Sequence, residues 1–161
     1  AAGAGMILTA QPLVMAVIAP ISGSVSDRFG ARLPGALGLS VMTVGLLLLG
    51  RLGPSTGTGA IVLALAVSGL GTGMFISPNS SALLGAAPRE RQGIASAILA
   101  TARNLGMVLG VGLAGAVFTT MLAGAPQDVA SPELFAAFRP AFFLLAGISA
   151  IGALLAATQH E

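Results

Sequence analysis

The sequence predicts an all-α fold, a polytopic membrane helix bundle of about five transmembrane helices. Composition is the first sign: 55% of the residues are hydrophobic and 7% charged, with a mean hydropathy of +0.97. That leaves too little polar surface to solvate a globule, so a lipid bilayer is the natural solvent. The second sign is length, since several uncharged runs reach about 18 residues, enough for a helix to cross a hydrocarbon core roughly 30 Å thick. The third is pattern. The runs are continuously apolar and lack the two-residue alternation of a membrane barrel, so their backbone groups must be satisfied within helices.

The first span runs from about 3 to 21, with Gln11-Pro12 mid-way along it. Its opening ten residues carry no basic group ahead of the apolar run, so they do not read as a signal peptide, and the chain is expected to begin within a longer reading frame. SGSVSDRFGAR (residues 22–32) follows as an inter-helix loop, and the second span covers about 33–49. The third, about 59–83, contains Gly69, Gly71 and Gly73 and ends near Ser77-Pro78-Asn79, a predicted kink whose freed carbonyls neighbouring Ser and Asn would satisfy. The fourth covers about 92–122 and exceeds the length a membrane requires. Residues 123–138 form the longest connection, with Ser131 as a predicted N-cap and Pro132 at the first position of a short helix. The last span covers about 139–158.

Arginine placement predicts orientation. All seven basic residues are arginine. Arg28, Arg32, Arg89 and Arg91 fall on one side and Arg51 and Arg139 on the other, with Arg103 near the richer side. This places the loops at 22–32 and 84–92 in the cytoplasm, the first end outside and the C-terminus inside. Small residues spaced by four, Gly106 with Gly110 and Gly112 with Ala116, predict close helix packing, either within the chain or between chains.

The composition also excludes function classes. The chain has no cysteine, which removes disulfide and thiolate chemistry. No P-loop, metal-ligand cluster or Ser/His/Asp set is present, so neither an enzyme nor a bound cofactor or metal is expected, and His160 has no partner in sequence. A net charge of +2 with scattered arginines suggests no nucleic-acid partner.

Asp27, Arg28 and Arg32 are concentrated in one short stretch of a nearly uncharged chain. Gly30 there can take a positive φ that other residues resist. Asp27 is suited to accept hydrogen bonds at a helix start, where a carboxylate gains about 0.3–1 kcal/mol, and the arginines can pair with carboxylates or lipid phosphates. A plain positive-inside turn would contain the same residue types. The spacing Gly23-x-x-x-Asp27-Arg28-x-Gly30-x-Arg32, however, resembles the inter-helix signature of the major facilitator superfamily. The stretch PRERQGIASAILATARNLGMVLGVGLAGAVF (residues 88–118) is similar to the penultimate helix and preceding loop of the 14-span drug:proton antiporters of EmrB/QacA type. It shares Gly93, Ala95, Ser96, Ala102, Arg103, Gly106 and Gly110, and departs at Gln92, Asn104 and Met107.

The resemblance implies a partial C-terminal transmembrane domain over residues 1–161, the last five spans of a multi-pass transporter of the cell membrane (the inner membrane of a two-membrane cell). Its partners would be the bilayer, the missing N-terminal part of the same transporter, a small-molecule substrate and protons. Alternating-access efflux of drugs is the implied activity, with Gly23, Asp27, Arg28, Gly30 and Arg32 as a gating loop. A transporter of a sugar, metabolite or siderophore, or a self-standing membrane scaffold, are the rival readings. Arg103 and Asn104 are candidates for gate pairing or the substrate path, and Arg103 alternatively snorkels at the membrane boundary. Gln11 either faces substrate or bonds a neighbouring helix. Asp27, Glu90, Asp128, Glu133 and Glu161 are all expected in loops or the tail, so no span supplies a carboxylate for proton coupling.

Overall fold

The computed structural model describes residues 2–122 and 132–158, and among these every regular element is helical. A short helix α1 (Ala2–Leu8) leads through Thr9 into α2 (Ala10–Phe29). The two are nearly one rod: Thr9 N–H donates to the Gly5 carbonyl and Leu13 N–H to the Thr9 carbonyl. Between them Pro12 has no N–H for the Leu8 carbonyl, and the ladder breaks there. After α2 come α3 (Arg32–Leu49), α4 (Thr58–Gly85), a single 3₁₀ turn at Arg89–Arg91, α5 (Gln92–Leu122) and α6 (Pro132–Thr158). Five of these segments are long and apolar enough to cross a membrane.

Two helices exceed the expected limits. The stretch read as a ten-residue loop is mostly helix, because α2 continues to Phe29 and only Gly30 and Ala31 separate it from α3. Nothing between Ile21 and Gly30 breaks a helix: Gly23 is tolerated in an interior, and Ser22 and Ser26 are buried on the packed face. At the other end, α6 starts at Pro132, which takes a first-turn position where its missing N–H costs nothing. It then runs through Pro140 without a separate interfacial helix. Ser131, the expected cap, lies outside the described residues, as do Asp128 and His160.

The sequence neighbours α2 and α3 are not neighbours in space. α4 lies between α2 and α3, and α3 lies between α4 and α6, while α2 and α3 scarcely meet. Two rows of small residues on α4 explain this. On one side Gly69, Gly73 and Ser77, spaced by four, approach Gln11, Ile18 and Gly23 of α2, with the two helices parallel. On the other side Ser68 and Gly71 approach Gly45, Met42 and Gly38 of the antiparallel α3. Lipid provides no hydrophobic drive between helices, so van der Waals contact at such crossings holds the bundle together. α5 is different. It touches α6 and, weakly, α4, but Leu105, Val108, Leu109 and Val111 are all exposed.

Side chains complete what proline breaks. Pro78 is fully buried inside α4 and leaves the Met74 carbonyl without its intrahelical donor. The donor comes from α2, where the Ser22 hydroxyl reaches Met74 O at 2.9 Å. The neighbours expected to serve, Ser77 and Asn79, do not, because they share the proline's own turn and α2 already lies against it. Ser22→Ala is therefore expected to destabilise the bundle by about 1 kcal/mol, above the roughly 0.6 of an average interhelical membrane bond, because a buried acceptor is orphaned. Detergent-titrated unfolding followed by circular dichroism measures it; an unchanged midpoint would mean that the carbonyl finds another donor.

Candidate functional site

The candidate site is the end of the bundle where α2 turns into α3. Its geometry begins with Gly23, on the α2 face against α4. A Cβ there would lie 2.8 Å from Ser77 Oγ, so the two helices cross closely just before the turn. The turn itself depends on Gly30, which has φ 82° and ψ 158°. That region of backbone space is essentially closed to residues with a Cβ. Gly30 is the one positive-φ residue among those described, and its N–H closes α2 on the Ser26 carbonyl at 2.9 Å. Glycine at this position lets the chain reverse within two residues.

The charged residues fan out from that reversal. Asp27 lies in the last turn of α2 rather than in a loop, because the helix outlasts the expected boundary. It is exposed and makes no hydrogen bond or ion pair among the described residues. The register that sets Gly23 against Ser77 carries Asp27 toward the C-terminal turn of α4, where carbonyls rather than N–H groups are free. The helix start that would attract its carboxylate is thus not supplied at this end of α4. Arg28 is likewise exposed and unpaired among these residues.

Arg32 opens α3 and donates through Nη2 to the carbonyl of Ala157, near the end of α6. A matching contact exists at the far end of the same helix pair: Arg139 Nε donates to the Gly50 carbonyl at 3.2 Å. Because α3 and α6 are antiparallel, each contributes an arginine near its start to a terminal carbonyl of the other. Both contacts place a cation at the negative end of a helix dipole. Between them the buried Ser149 hydroxyl donates to Leu39 O at 3.1 Å. Arg32 therefore has a packing role that its place in the motif did not reveal.

The other candidates are not drawn together. Gln11 is half-buried on α2, its backbone carbonyl tight against Gly69. Arg103 and Asn104 are exposed on α5, and α2 and α5 do not touch. Arg103 lies about 17 Å along α5 from Gln92, given 1.5 Å per residue, and pairs with neither a loop carbonyl nor Asp27 among the described residues. A Cβ at Gly106 or Gly110 would meet nothing within 4 Å. Among the described residues, close crossings are made by Gly38, Gly69 and Gly71. Glu90 lies in the 3₁₀ turn, and no group of His, Cys, Asp and Glu able to hold a metal occurs among the described residues.

Comparison with known proteins adds a family to this geometry. A family model described as Major Facilitator Superfamily matches residues 1–158. The chain is 38% identical over 119 residues to the riboflavin transporter RibZ of Clostridioides difficile (strain 630), an alignment that covers 74% of this chain and 26% of that protein. Against YebQ of Escherichia coli (strain K12), an uncharacterized transporter, identity is 43% over 109 residues, covering 68% and 24%. The multidrug resistance protein Stp of Mycobacterium tuberculosis (strain CDC 1551 / Oshkosh) is 28% identical over 118 residues, covering 73% and 22%. The chain thus spans about a quarter of the length of these relatives.

Proposed function

The chain belongs to the major facilitator superfamily, and from that premise we propose that it is the C-terminal part of a proton-coupled efflux transporter for drugs or similar small organic molecules. The two halves of the whole protein rock about a midplane site, in the manner of secondary transporters built from repeats. The α2–α3 turn acts as a latch on the cytoplasmic side. The single observation that carries this reading is the signature itself, Gly23-x-x-x-Asp27-Arg28-x-Gly30-x-Arg32, placed on a two-residue helix reversal that only glycine at position 30 permits.

An exposed Asp27, unpaired among the described residues, beside such a reversal suits a latch whose other half lies in the remaining helices of the transporter. The same applies to the outward face of α5, which carries Arg103, Asn104, Gly106 and Gly110 and is available to the other half. Membership of the 14-span drug:proton antiporters rests on residues 88–118, and the similarity to Stp supports a drug-like cargo. The higher identity to RibZ supports a second reading, in which the cargo is a vitamin-sized heterocycle.

Export assays on cells expressing the whole reading frame test the proposal. Cells are expected to accumulate a fluorescent cationic dye less than vector controls do, and to lose that protection when the proton gradient is collapsed. Dye accumulation equal to the control, with riboflavin flux altered, would transfer the assignment to the second reading. No change in either flux would reject both.

A further inference from the structure

A groove of about 440 Å³ runs between α3 and α6. Its floor is formed by the small side chains of Ala36, Ala150 and Ala153, and Leu37 and Leu154 wall it. At the end where α3 begins, a second concavity of about 430 Å³ continues it, sharing Leu33, Ala36 and Ala157 and adding Arg32. Among the described residues, Arg32 is the one charged residue lining either space.

We propose that this continuous groove is a binding site for one anionic phospholipid, with an acyl chain along the alanine floor and the phosphate on Arg32. Three observations converge on an amphiphile of that shape. The groove is mainly apolar along its length, the Ser40 and Thr43 hydroxyls that line it donating to carbonyls of α3 itself. Among the described residues it is cationic at one end. Its extent along α3, from Leu33 to Thr43, is about 15 Å at 1.5 Å per residue, half of a hydrocarbon core roughly 30 Å thick. It is therefore one leaflet deep and opens at the residue that starts the span. Arg32 is also held in place: one terminal nitrogen is on the Ala157 carbonyl. Of the five N–H donors of a guanidinium, the others make no bond among the described residues.

Asp27 and Arg28, both exposed at the end of α2, line neither concavity and offset one another, which leaves Arg32 as the charge that faces the groove. That balance favours an anionic headgroup over a zwitterionic one. Inorganic phosphate would satisfy Arg32 and leave the apolar floor empty. A helix packed into the groove would cover the floor and leave the guanidinium without a counter-charge.

The site requires no transport activity, so its test stands apart from that of the proposed function. The protein purified from its whole reading frame is exchanged into mixed micelles with equal phosphatidylglycerol and phosphatidylcholine, and retained lipid is counted by native mass spectrometry. One phosphatidylglycerol per protein is expected, preferred about fivefold, the factor that one arginine near an anionic headgroup supplies. Arg32→Ala is expected to abolish the preference. Ala150→Leu, which fills the floor and keeps every charge, is expected to abolish retention. Arg89→Ala, in the α4–α5 connection and outside both concavities, is expected to change neither.

Four results would overturn the site. Equal losses in Arg89→Ala and Arg32→Ala would mean diffuse surface attraction, and full retention by Ala150→Leu would mean that the groove is not used. Displacement of the lipid by excess inorganic phosphate would mean a simple anion site. An absence of retained lipid in the unmodified protein would mean that another helix fills the groove.

Discussion

Gly71→Ala is expected to destabilise the bundle by about 3 kcal/mol, the upper end of the usual overpacking cost of about 1–3. The added Cβ would lie 2.7 Å from both the Gly38 carbonyl oxygen and the Met42 Cα, and would also press on the Met42 amide nitrogen. All three are backbone atoms, so no rotamer change relieves the clash and α3 must move away from α4. Displacing α3 also opens its contacts with α6, since α3 is packed between the two helices. Gly106→Ala is the matched control, because a Cβ there meets nothing within 4 Å. It is expected to be neutral to within about 1 kcal/mol, the ordinary helix-propensity difference. Detergent-titrated unfolding of the purified protein distinguishes the two. A Gly71→Ala protein as stable as its parent would refute the α3–α4 crossing. Equal losses at both positions would show that helices beyond these residues pack closely on α5.

Asp27→Asn is expected to reduce transport at least about tenfold while leaving insertion and protein level unchanged. Under the proposed alternating access, the carboxylate latches one orientation by accepting hydrogen bonds from the other half. A hydrogen bond to a charged group contributes about 1.5–3 kcal/mol, and 1.4 kcal/mol is a tenfold change in an equilibrium. The substitution keeps the shape and removes the charge. It should not disturb the bundle, because Asp27 is exposed and bonds to nothing among the described residues. Initial export rates normalised to immunoblotted protein provide the measurement, and Asp27→Glu should recover part of the rate. A normal rate at a normal protein level would refute the latch. Loss of protein from the membrane would instead assign Asp27 a folding role.

Much of this molecule is visible in its sequence, for physical reasons that act locally. A backbone in hydrocarbon must hydrogen-bond to itself, so long uncharged runs can be read as helices. Gly30 was legible because a reversal between two spans requires a conformation that only glycine adopts readily. Pro78 was legible as a ladder break because the missing N–H is a covalent fact.

Side-chain periodicity, in contrast, identifies which helix faces are small but not what meets them. Gly106 and Gly110 have the same four-residue spacing as Gly69 and Gly73, yet only the second pair is in contact within these residues. Nor does a charge cluster reveal where a helix ends, which is why α2 reached Phe29 and took Asp27 with it.

The sequence by itself determined the solvent, the helical class, the five spans and the glycine at the reversal, because each follows from a residue and its immediate neighbours. Only the tertiary structure decided that α4 separates α2 from α3, that Ser22 serves the carbonyl freed by Pro78, and that Arg32 and Arg139 each reach a terminal carbonyl of the opposing helix. Those contacts join residues 52 to 125 positions apart, and their energy depends on which backbones approach closely, a property of the packed bundle rather than of any one segment.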